Sequence, residues 1–206
     1  MTLKIKTVLV TGSAGFVGFF VSKKLLASKF NVIGVDNLNS YYDLNLKKHR
    51  HSILKKNINF VEKLGSIEEG NFIDKVFNDY KPNVVIHLAA QAGVRYSIEK
   101  PRVYLDSNIT GSYNIIEVSK KFNVKHLIMA SSSSVYGANK KIPFKETDKT
   151  ETQLSIYAAT KKSNESMAHS YSNIWRIPIT MLRIFTVYGP WGRPDMALFK
   201  FTKGIL

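Results

Sequence analysis

The chain has 206 residues and no cysteine, and 30 lysines and arginines against 15 aspartates and glutamates give a formal net charge of +15. With 44% apolar and 12% aromatic residues, the composition excludes a disordered tail, a collagen-like fibre and a disulfide-stapled secreted module. No apolar run approaches the roughly 20 residues of a membrane span, and residues 1–6 are too few for a signal peptide, so we expect a cytoplasmic protein that engages no membrane.

Strands and helices are predicted to alternate along the chain. Short apolar runs predict strands at residues 7–10, 31–35, 58–61, 84–88, 126–130 and 179–184. Apolar residues at helical spacing predict helices at residues 16–27, 45–55, 67–80, 103–122 and 154–172, followed by a helix-like run at 196–206. Nearly continuous apolar strands in βαβα order are typical of a parallel sheet covered on both faces. The sequence therefore predicts an α/β protein with a doubly wound parallel sheet of the Rossmann type.

The positive charge is spread along the chain, with its densest stretch at residues 47–51, followed by Lys55 and Lys56. No zinc-finger, helix-turn-helix or RNA-binding aromatic motif accompanies it. We therefore interpret the stretch as the solvated face of a helix and expect no nucleic-acid partner. The absence of cysteine removes Cys-ligated zinc, and we expect no metal. The charge suits a polyanionic small substrate.

The segment after the first predicted strand indicates a dinucleotide-binding loop. Gly12, Gly15 and Gly18 form a G-x-x-G-x-x-G pattern that opens the first predicted helix. Glycines there permit a tight turn and let backbone amides approach a pyrophosphate at a helix N-terminus. Asp36, at the end of the second strand, can accept hydrogen bonds from an adenosine ribose and would repel a 2′-phosphate, which favours NAD over NADP. The alternative is a glycine-rich turn without a ligand.

A tyrosine and a lysine one helical turn apart, Tyr157 and Lys161, are candidates for acid–base chemistry. A nearby ammonium can lower the pKa of a phenol toward the operating pH. The same spacing occurs at Tyr96/Lys100, which abuts Pro101, and at Tyr136/Lys140, which contains Gly137. Only the pair at 157 and 161 lies inside a convincing predicted helix. Polar loops at residues 131–151, which begin with four serines, and at 185–195 are expected at the same carboxyl edge of the sheet, where open α/β sheets bind ligands.

Taken together, these motifs resemble the extended short-chain dehydrogenases/reductases. The sequence HLAA at residues 87–90 adds to that likeness. More narrowly, AAQAGVRYS at 89–97, SSSSVYG at 131–137 and RIFTVYGPWGRPDM at 183–196 are similar to the UDP-glucuronate 4-epimerase group. The resemblance covers essentially the whole chain. It implies an NAD-binding Rossmann domain at residues 1–184 and the start of an incomplete substrate-binding region at 185–206.

The resemblance also implies a mechanism. Tyr157 takes the proton of the sugar 4-hydroxyl while hydride moves from the same carbon to NAD; the 4-keto sugar rotates and hydride returns to its other face. Lys161 binds the nicotinamide ribose and lowers the pKa of Tyr157, and Ser132 assists the 4-hydroxyl. Residues implied to line the sugar pocket or face the uronate or diphosphate are Arg95, Ser132, Ser133, Ser134, Tyr157, Thr186 and Arg193.

The cofactor site implied by the resemblance is larger than its glycine loop. Its expected members are Gly12, Ala14, Gly15, Phe16, Val17, Gly18, Asp36, Asn37, Asn39, Ser66, Ile67, Leu88, Ala89, Ala90, Gln91, Asn108, Ser131, Tyr157 and Lys161. Some have structural alternatives: Asn108 as a polar residue at a helix kink, and Gln91 with Arg95 as shapers of a loop. Arg193 has the alternative of a surface charge. His87 is expected to be a core histidine and not a catalyst.

Two departures from the family pattern affect these expectations. The family usually has Gly-Asp-Ile or Gly-Asp-Leu after the third strand, where this chain has Gly65-Ser66-Ile67, so adenine is expected to meet a hydroxyl instead of a carboxylate. The family is also longer, and this chain stops within a helix-like run, so we expect most of the substrate-binding domain to be missing. Alternatives are a UDP-glucose or UDP-N-acetylhexosamine 4-epimerase, or a non-catalytic NAD-binding and dimerisation fragment. A homodimer through a helical bundle is expected from the resemblance.

Overall fold

The computed structural model describes residues 7–206, so the expectation about a signal peptide in residues 1–6 lies outside the described residues. One sheet contains β1 (Thr7–Thr11), β2 (Asn31–Asp36), β3 (Phe60–Leu64), β4 (Val84–His87), β5 (His126–Ser132) and β6 (Ile179–Ile184). All neighbouring strands pair in parallel, in the order β3-β2-β1-β4-β5-β6. This confirms the doubly wound sheet, whose topological switch point lies between β1 and β4.

Helices flank the sheet on both faces. They are α1 (Phe16–Ala27), α2 (Leu44–Leu54), α3 (Gly70–Tyr80), α4 (Tyr96–Glu99), α5 (Pro101–Tyr104), α6 (Ser112–Lys121), α7 (Ile156–Trp175) and α8 (Ala197–Ile205). A π-helical stretch, Leu105–Gly111, joins α5 to α6, and a 3-10 turn, Ser133–Tyr136, follows β5. Within residues 7–206, no helix is both long and apolar enough to cross a membrane.

The two faces of the sheet bury two separate cores. Along β1, Leu9 points into one core while Val8 and Val10 point into the other, as the period of two in a strand requires. The first core is filled from α3, α6 and α7, with Phe77 fully buried, and the second from α1 and α2, with Phe19 buried. Two covered faces explain why the strands are apolar at nearly every position.

The prediction of one uninterrupted helix over residues 103–122 is wrong. The helical path begins two residues earlier, where Pro101 occupies the first turn, and is π-helical over Leu105–Gly111. Asn108 lies in that stretch, and its side chain accepts from the backbone N–H of Gln91 at 2.8 Å and donates to its carbonyl at 3.1 Å. A long-range contact of this kind is invisible to helical periodicity, whereas a proline at a helix start is a local signal that the sequence does carry.

The interpretation of residues 47–51 as a solvated basic face is also wrong. Lys48 and His49 are exposed, but Lys47, Arg50 and His51 are buried. Each buried side chain has hydrogen-bond partners in the strands and loops that α2 packs against. Since buried polar groups are tolerated when they are hydrogen-bonded, charge alone did not identify the exposed face.

The last described segment lies beyond the sheet. No residue of α8 is buried, although Leu198, Phe199 and Phe201 are large and apolar. The helix-like run at the end of the chain is thus confirmed as a helix. β6 ends at Ile184, and the division of the chain into residues 1–184 and 185–206 stays a prediction.

Candidate dinucleotide and catalytic site

An open cleft of about 650 Å³ lies at the carboxyl edge of the sheet, over the switch point between β1 and β4. Loops that follow β1, β2, β4, β5 and β6 contribute to its walls, as expected for an open α/β sheet. The predicted site residues that line it are Gly12, Gly15, Phe16, Val17, Gly18, Asp36, Asn37, Asn39, Ile67, Leu88, Ala89, Ala90, Gln91, Arg95, Ser131, Ser132, Ser133, Ser134, Tyr157, Lys161, Thr186 and Arg193. Residues up to 181 positions apart in the chain therefore meet in one cleft.

Three residues predicted for the cofactor site do not line the cleft. Ala14 belongs to the glycine loop but is fully buried. The hydroxyl of Ser66 donates to the carboxylate of Glu68, two residues further along the chain. Asn108 is fully buried and hydrogen-bonds the backbone of Gln91, which does face the cleft. Asn108 also donates to the hydroxyl oxygen of Thr160, on α7, at 3.1 Å. Any effect of Asn108 on a ligand therefore passes through the positions of Gln91 and α7.

The glycine loop presents bare backbone to the cleft because side chains do not fit there. Gly12 has φ of +72°, and a Cβ on it would lie 2.8 Å from the backbone nitrogen of Ala89. A Cβ on Gly18 would overlap the carbonyl oxygen of Gly12. The backbone N–H of Gly12 donates to the carbonyl of Val35 at 2.8 Å, which joins the loop to β2. The chain can therefore turn tightly from β1 into the N-terminus of α1.

Asp36 lies at the end of β2, beside this loop. Its Oδ2 accepts the N–H of Ala14 at 3.0 Å, and its Oδ1 accepts the N–H of Leu38 at 2.9 Å. Only 8% of Asp36 is exposed. Because each carboxylate oxygen has two lone-pair sites, both oxygens can still accept from a ligand hydroxyl.

Tyr157 and Lys161 are brought to the cleft by the first turns of α7. Ser155 begins that helix, since its hydroxyl accepts the N–H of Ala158 at 3.1 Å. The ammonium of Lys161 donates to the carbonyl of Ala130, on β5, at 2.9 Å. Both members of the pair line the cleft, one helical turn apart.

The pKa values of the pair are shifted by their surroundings. Burial raises the pKa of Tyr157, against the opposing effects of a hydrogen bond with Ser132 and of the positive charge of Arg193. Burial also lowers the pKa of Lys161 to about 8. The protein by itself thus holds Tyr157 as a neutral phenol at physiological pH, and stabilising its phenolate needs additional positive charge.

The two other pairs of this spacing are not arranged in this way. Tyr136 is buried and stacks on Phe144 with ring centroids 4.4 Å apart, away from the cleft, and Lys140 is exposed. Tyr96 reaches the cleft, but Lys100 is exposed after the end of α4. The structure therefore agrees with the sequence context in singling out the pair on α7.

The four serines after residue 130 have different environments. Ser131 and Ser132 still belong to β5, so the predicted loop begins two residues later than expected. The hydroxyl of Ser131 donates to Glu165 at 2.6 Å, and that carboxylate also pairs with Arg183. The hydroxyl of Ser132 accepts the N–H of Ser134 at 3.1 Å and caps the 3-10 turn. Ser132 is the serine whose hydroxyl also interacts with Tyr157.

His87 is a core histidine, as the sequence predicted. Its Nδ1 lies 2.7 Å from the hydroxyl oxygen of Thr11, and its Nε2 lies 3.0 Å from that of Ser112. Burial, with a smaller effect from the charge of Lys161, lowers the pKa of His87 to about 3. A neutral imidazole with both nitrogens bonded to hydroxyls stabilises the packing of β4 against its neighbours and does not act as an acid at neutral pH.

Sequence reasoning missed residues at the opposite wall of the cleft, on the loop after β2. Tyr41 lines the cleft, and its hydroxyl donates to Asp195 at 3.1 Å. Arg193 pairs with the same carboxylate through Nε at 3.0 Å and Nη2 at 2.5 Å, and its guanidinium lies over the Tyr41 ring. Burial, with the charge of Asp195, raises the pKa of Tyr41 to about 12. The available signal was position: residues 37–42 follow a strand at the same carboxyl edge.

The NAD dependent epimerase/dehydratase family matches residues 8–206 of the chain. The chain belongs to this family.

Individual members of the epimerase/dehydratase family share much of the sequence. Protein CapI of Staphylococcus aureus is 58% identical over 200 residues, which are 97% of this chain and 59% of that protein. The probable UDP-glucuronate 4-epimerase of Rhizobium meliloti (strain 1021) is 51% identical over 197 residues, 96% of this chain and 58% of that protein. The chain thus spans about 60% of the length of these relatives.

A solved member of the family shares the fold closely. The UDP-glucuronic acid 4-epimerase of Bacillus cereus, crystallised with UDP-glucuronic acid and NAD, superposes with a TM-score of 0.90 at 36% identity. The match covers 97% of this chain and 62% of that one. The sheet, its flanking helices and the cleft therefore correspond to the larger part of a complete family member.

The residues present fit a bound dinucleotide. The positions of Gly12 and Gly18 have no room for a Cβ, so both present backbone to the cleft near the start of α1. Asp36 faces the cleft with acceptor capacity left on both oxygens. Gly12, Gly18 and Asp36 are the residues that would hold the pyrophosphate and the adenosine ribose.

Proposed function

We propose that this chain carries the NAD-binding and catalytic part of a nucleotide-sugar 4-epimerase whose substrate is UDP-glucuronate, with UDP-galacturonate as product. The observation that supports this proposal is that Tyr157, Lys161 and Ser132 line the same cleft as the glycine loop. A proton acceptor, a cation and a hydroxyl thereby lie beside a dinucleotide-binding backbone surface. That combination suits reversible oxidation of a sugar hydroxyl.

Bound NAD would supply the hydride acceptor at sugar carbon 4. Tyr157 would accept the proton of the 4-hydroxyl and return it to the product, with the hydroxyl of Ser132 orienting the reacting oxygen. Since burial raises the pKa of Tyr157, the phenolate would depend on the positive charge gathered at the closed site, that of Lys161 included. Lys161 would also donate to the nicotinamide ribose, because its ammonium has three N–H donors and one of them contacts the carbonyl of Ala130.

The substrate would be held at the other side of the cleft. Ser133, Ser134 and Thr186 line it with hydroxyls for the sugar, and Arg95 is an exposed cation at its edge. Arg193 would face the uronate carboxylate or the diphosphate. Because Arg193 already pairs with Asp195, a ligand anion would share the guanidinium or displace that carboxylate, which makes this contact selective for strongly anionic ligands.

A homodimer is part of the proposal. α6 and α7 lie side by side, and both leave large apolar side chains exposed, among them Tyr113, Ile174 and Trp175. Pairing across a two-fold axis would bury them. Light scattering at micromolar concentration tests this, and a monomer contradicts it.

We also propose that the protein works in the cytoplasm, on precursors of surface polysaccharides, without a membrane or nucleic-acid partner.

A panel of nucleotide sugars tests the substrate. The full-length protein is expected to interconvert UDP-glucuronate and UDP-galacturonate with NAD. Turnover of UDP-glucose or UDP-N-acetylhexosamines without turnover of the uronates would favour the alternative neutral-sugar epimerases. NAD binding with no turnover of any sugar would favour a non-catalytic dinucleotide-binding module.

A further inference from the structure

Arg50 joins three segments of the chain from a fully buried position on α2. Its Nη1 donates to the carbonyl of Ala14 at 2.8 Å and to the hydroxyl of Tyr42 at 2.7 Å. Its Nη2 donates to the carbonyl of Trp191 and, at 3.3 Å, to that of Gly192. The glycine loop and the segment that carries Arg193 are far apart in sequence, but each is hydrogen-bonded to one of the two terminal nitrogens of the same guanidinium.

The energetics of this arrangement point to a role beyond stability. Among residues 7–206, no carboxylate forms an ion pair with Arg50, and its Nε–H has no hydrogen-bond partner. A buried cation without a counter-ion and with one unsatisfied donor is destabilising compared with a well-packed apolar side chain. What an apolar side chain cannot do is hold the two loops together through their carbonyls.

On the glycine-loop side, Arg50 completes the fixing of one residue. The N–H of Ala14 is held by Asp36 at 3.0 Å, and its carbonyl is held by Arg50 at 2.8 Å. The next residue, Gly15, donates its N–H to the carbonyl of Gly12 at 2.9 Å. The peptide between Ala14 and Gly15 is thus held at its carbonyl by Arg50 and at its N–H by Gly12, so the loop keeps one of these two bonds when Arg50 is replaced.

On the other side, Arg50 fixes a strained residue. Trp191 has φ of +63°, a left-handed conformation that is costly for a residue with a side chain. Its ring stacks on His49, with centroids 5.2 Å apart, and packs near Phe19. Arg193 follows two residues later and lines the cleft. The backbone from which Arg193 projects is therefore anchored on α1 and α2.

We infer that Arg50 is a positioning residue that couples the glycine loop to the segment at residues 189–195, so that a dinucleotide ordering the loop also orders the segment that presents Arg193. This inference rests on the proposed function, because it takes the dinucleotide to bind at the glycine loop. Two sites linked by one rigid element affect each other reciprocally.

Hydrogen–deuterium exchange of the 206-residue chain, with and without NAD, tests the coupling. In the unmodified chain, NAD is expected to slow exchange by at least about threefold both at residues 12–18 and at residues 189–195. In Arg50→Lys, one ammonium cannot span both loops. In this variant NAD should still slow exchange at residues 12–18, but it should no longer slow exchange at residues 189–195. A residue with only a structural role would change exchange in both segments together.

Lys48→Ala is the matched control, since Lys48 is an exposed cation on the same helix, and it should behave as the unmodified chain does. Equal slowing at 189–195 in Arg50→Lys and in the unmodified chain would overturn the inference. The inference would also be overturned if NAD slowed exchange only at residues 12–18 of the unmodified chain. That result does not depend on whether any variant folds. No slowing at 12–18 in the unmodified chain would contradict the proposed NAD site itself and, with it, the coupling.

Discussion

The ammonium of Lys161 donates to the carbonyl of Ala130 at 2.9 Å, so the lysine of α7 is hydrogen-bonded to β5 at the residue that precedes the four serines. Only 4% of Lys161 is exposed. The contact places the charge at the level of Ser131 and Ser132 and brings Tyr157, one turn earlier on the same helix, against Ser132. Strand end, serine hydroxyl, phenol and ammonium thereby form one group in the cleft.

Removing the phenol hydroxyl of Tyr157 should remove turnover and leave the fold intact. In the full-length protein, Tyr157→Phe is expected to lower kcat by at least about a hundredfold, since it deletes the proton acceptor. The NAD dissociation constant should change less than about twofold, because the ring is retained. The matched control is Tyr136→Phe, because Tyr136 also has a lysine four residues later but does not line the cleft. Near-normal turnover of Tyr157→Phe would refute the proposed role.

The carboxylate of Asp36 should decide the choice of cofactor. Asp36→Asn keeps an acceptor for one backbone N–H but removes the charge, so we expect NAD to bind about tenfold more weakly. NADP should bind better than before relative to NAD, because the repulsion of its 2′-phosphate is removed. Calorimetry with both dinucleotides measures this, with Asp74→Asn on α3, at a carboxylate that does not line the cleft, as the control. An unchanged ratio of the two affinities would show that Asp36 does not face the ribose.

Replacing Lys161 by methionine should stabilise the fold at neutral pH and abolish function. Because burial lowers the pKa of Lys161 from 10.5 to about 8, the unfolded chain binds more protons than the folded one across that window, and wild-type stability rises with pH there. At pH 7, which is below both pKa values, most of the folded chains carry the buried charge, so Lys161→Met should raise the free energy of unfolding by about 1–3 kcal/mol.

Urea denaturation of both proteins at several pH values checks the sign of this effect. The gain of Lys161→Met over wild type should shrink from pH 8 upward and disappear above pH 10.5, where lysine is neutral in both states. A gain that stays constant over this range would mean that packing, and not the buried charge, is responsible. Loss of stability at pH 7 would mean that the bond to Ala130 outweighs burial.

The 206-residue chain by itself is expected to bind NAD but to turn over UDP-sugars at least about a hundredfold more slowly than the full-length protein. Holding the uridine and diphosphate from several sides fixes the sugar carbon against the nicotinamide. In this chain Phe185 lines the cleft and is exposed, and no residue of α8 is buried. Calorimetry with NAD and a product assay on the same preparation test this expectation. Turnover equal to that of the full-length protein would contradict it.

The dinucleotide loop was predictable because its chemistry is local. A buried strand, three glycines at fixed spacing and the start of a helix are adjacent in sequence, and the turn they form is the one in the structure. Tyr157 and Lys161 were separable from the two similar pairs for a comparable reason. Helical context is local, and the other pairs lie next to a proline or contain a glycine.

The opposite wall of the cleft was less accessible to sequence reasoning because it depends on partners distant in the chain. Tyr41 contacts Asp195 across 154 positions, and Arg50 contacts the carbonyl of Trp191 across 141. Lysine-rich composition predicted an exposed face where Arg50 is in fact buried. Composition records what a side chain is and not which acceptors surround it.

The sequence by itself determined the alternation of strands and helices, the parallel sheet and the edge where the cleft lies, because hydrophobic period and turn chemistry act over a few residues. Only the tertiary structure decided which polar side chains are buried and which are paired. Asn108 lies behind the cleft, Arg193 pairs with Asp195, and Arg50 bridges two loops. The reason is physical: such contacts form when packed elements bring distant segments to hydrogen-bonding distance, and no local pattern records that distance.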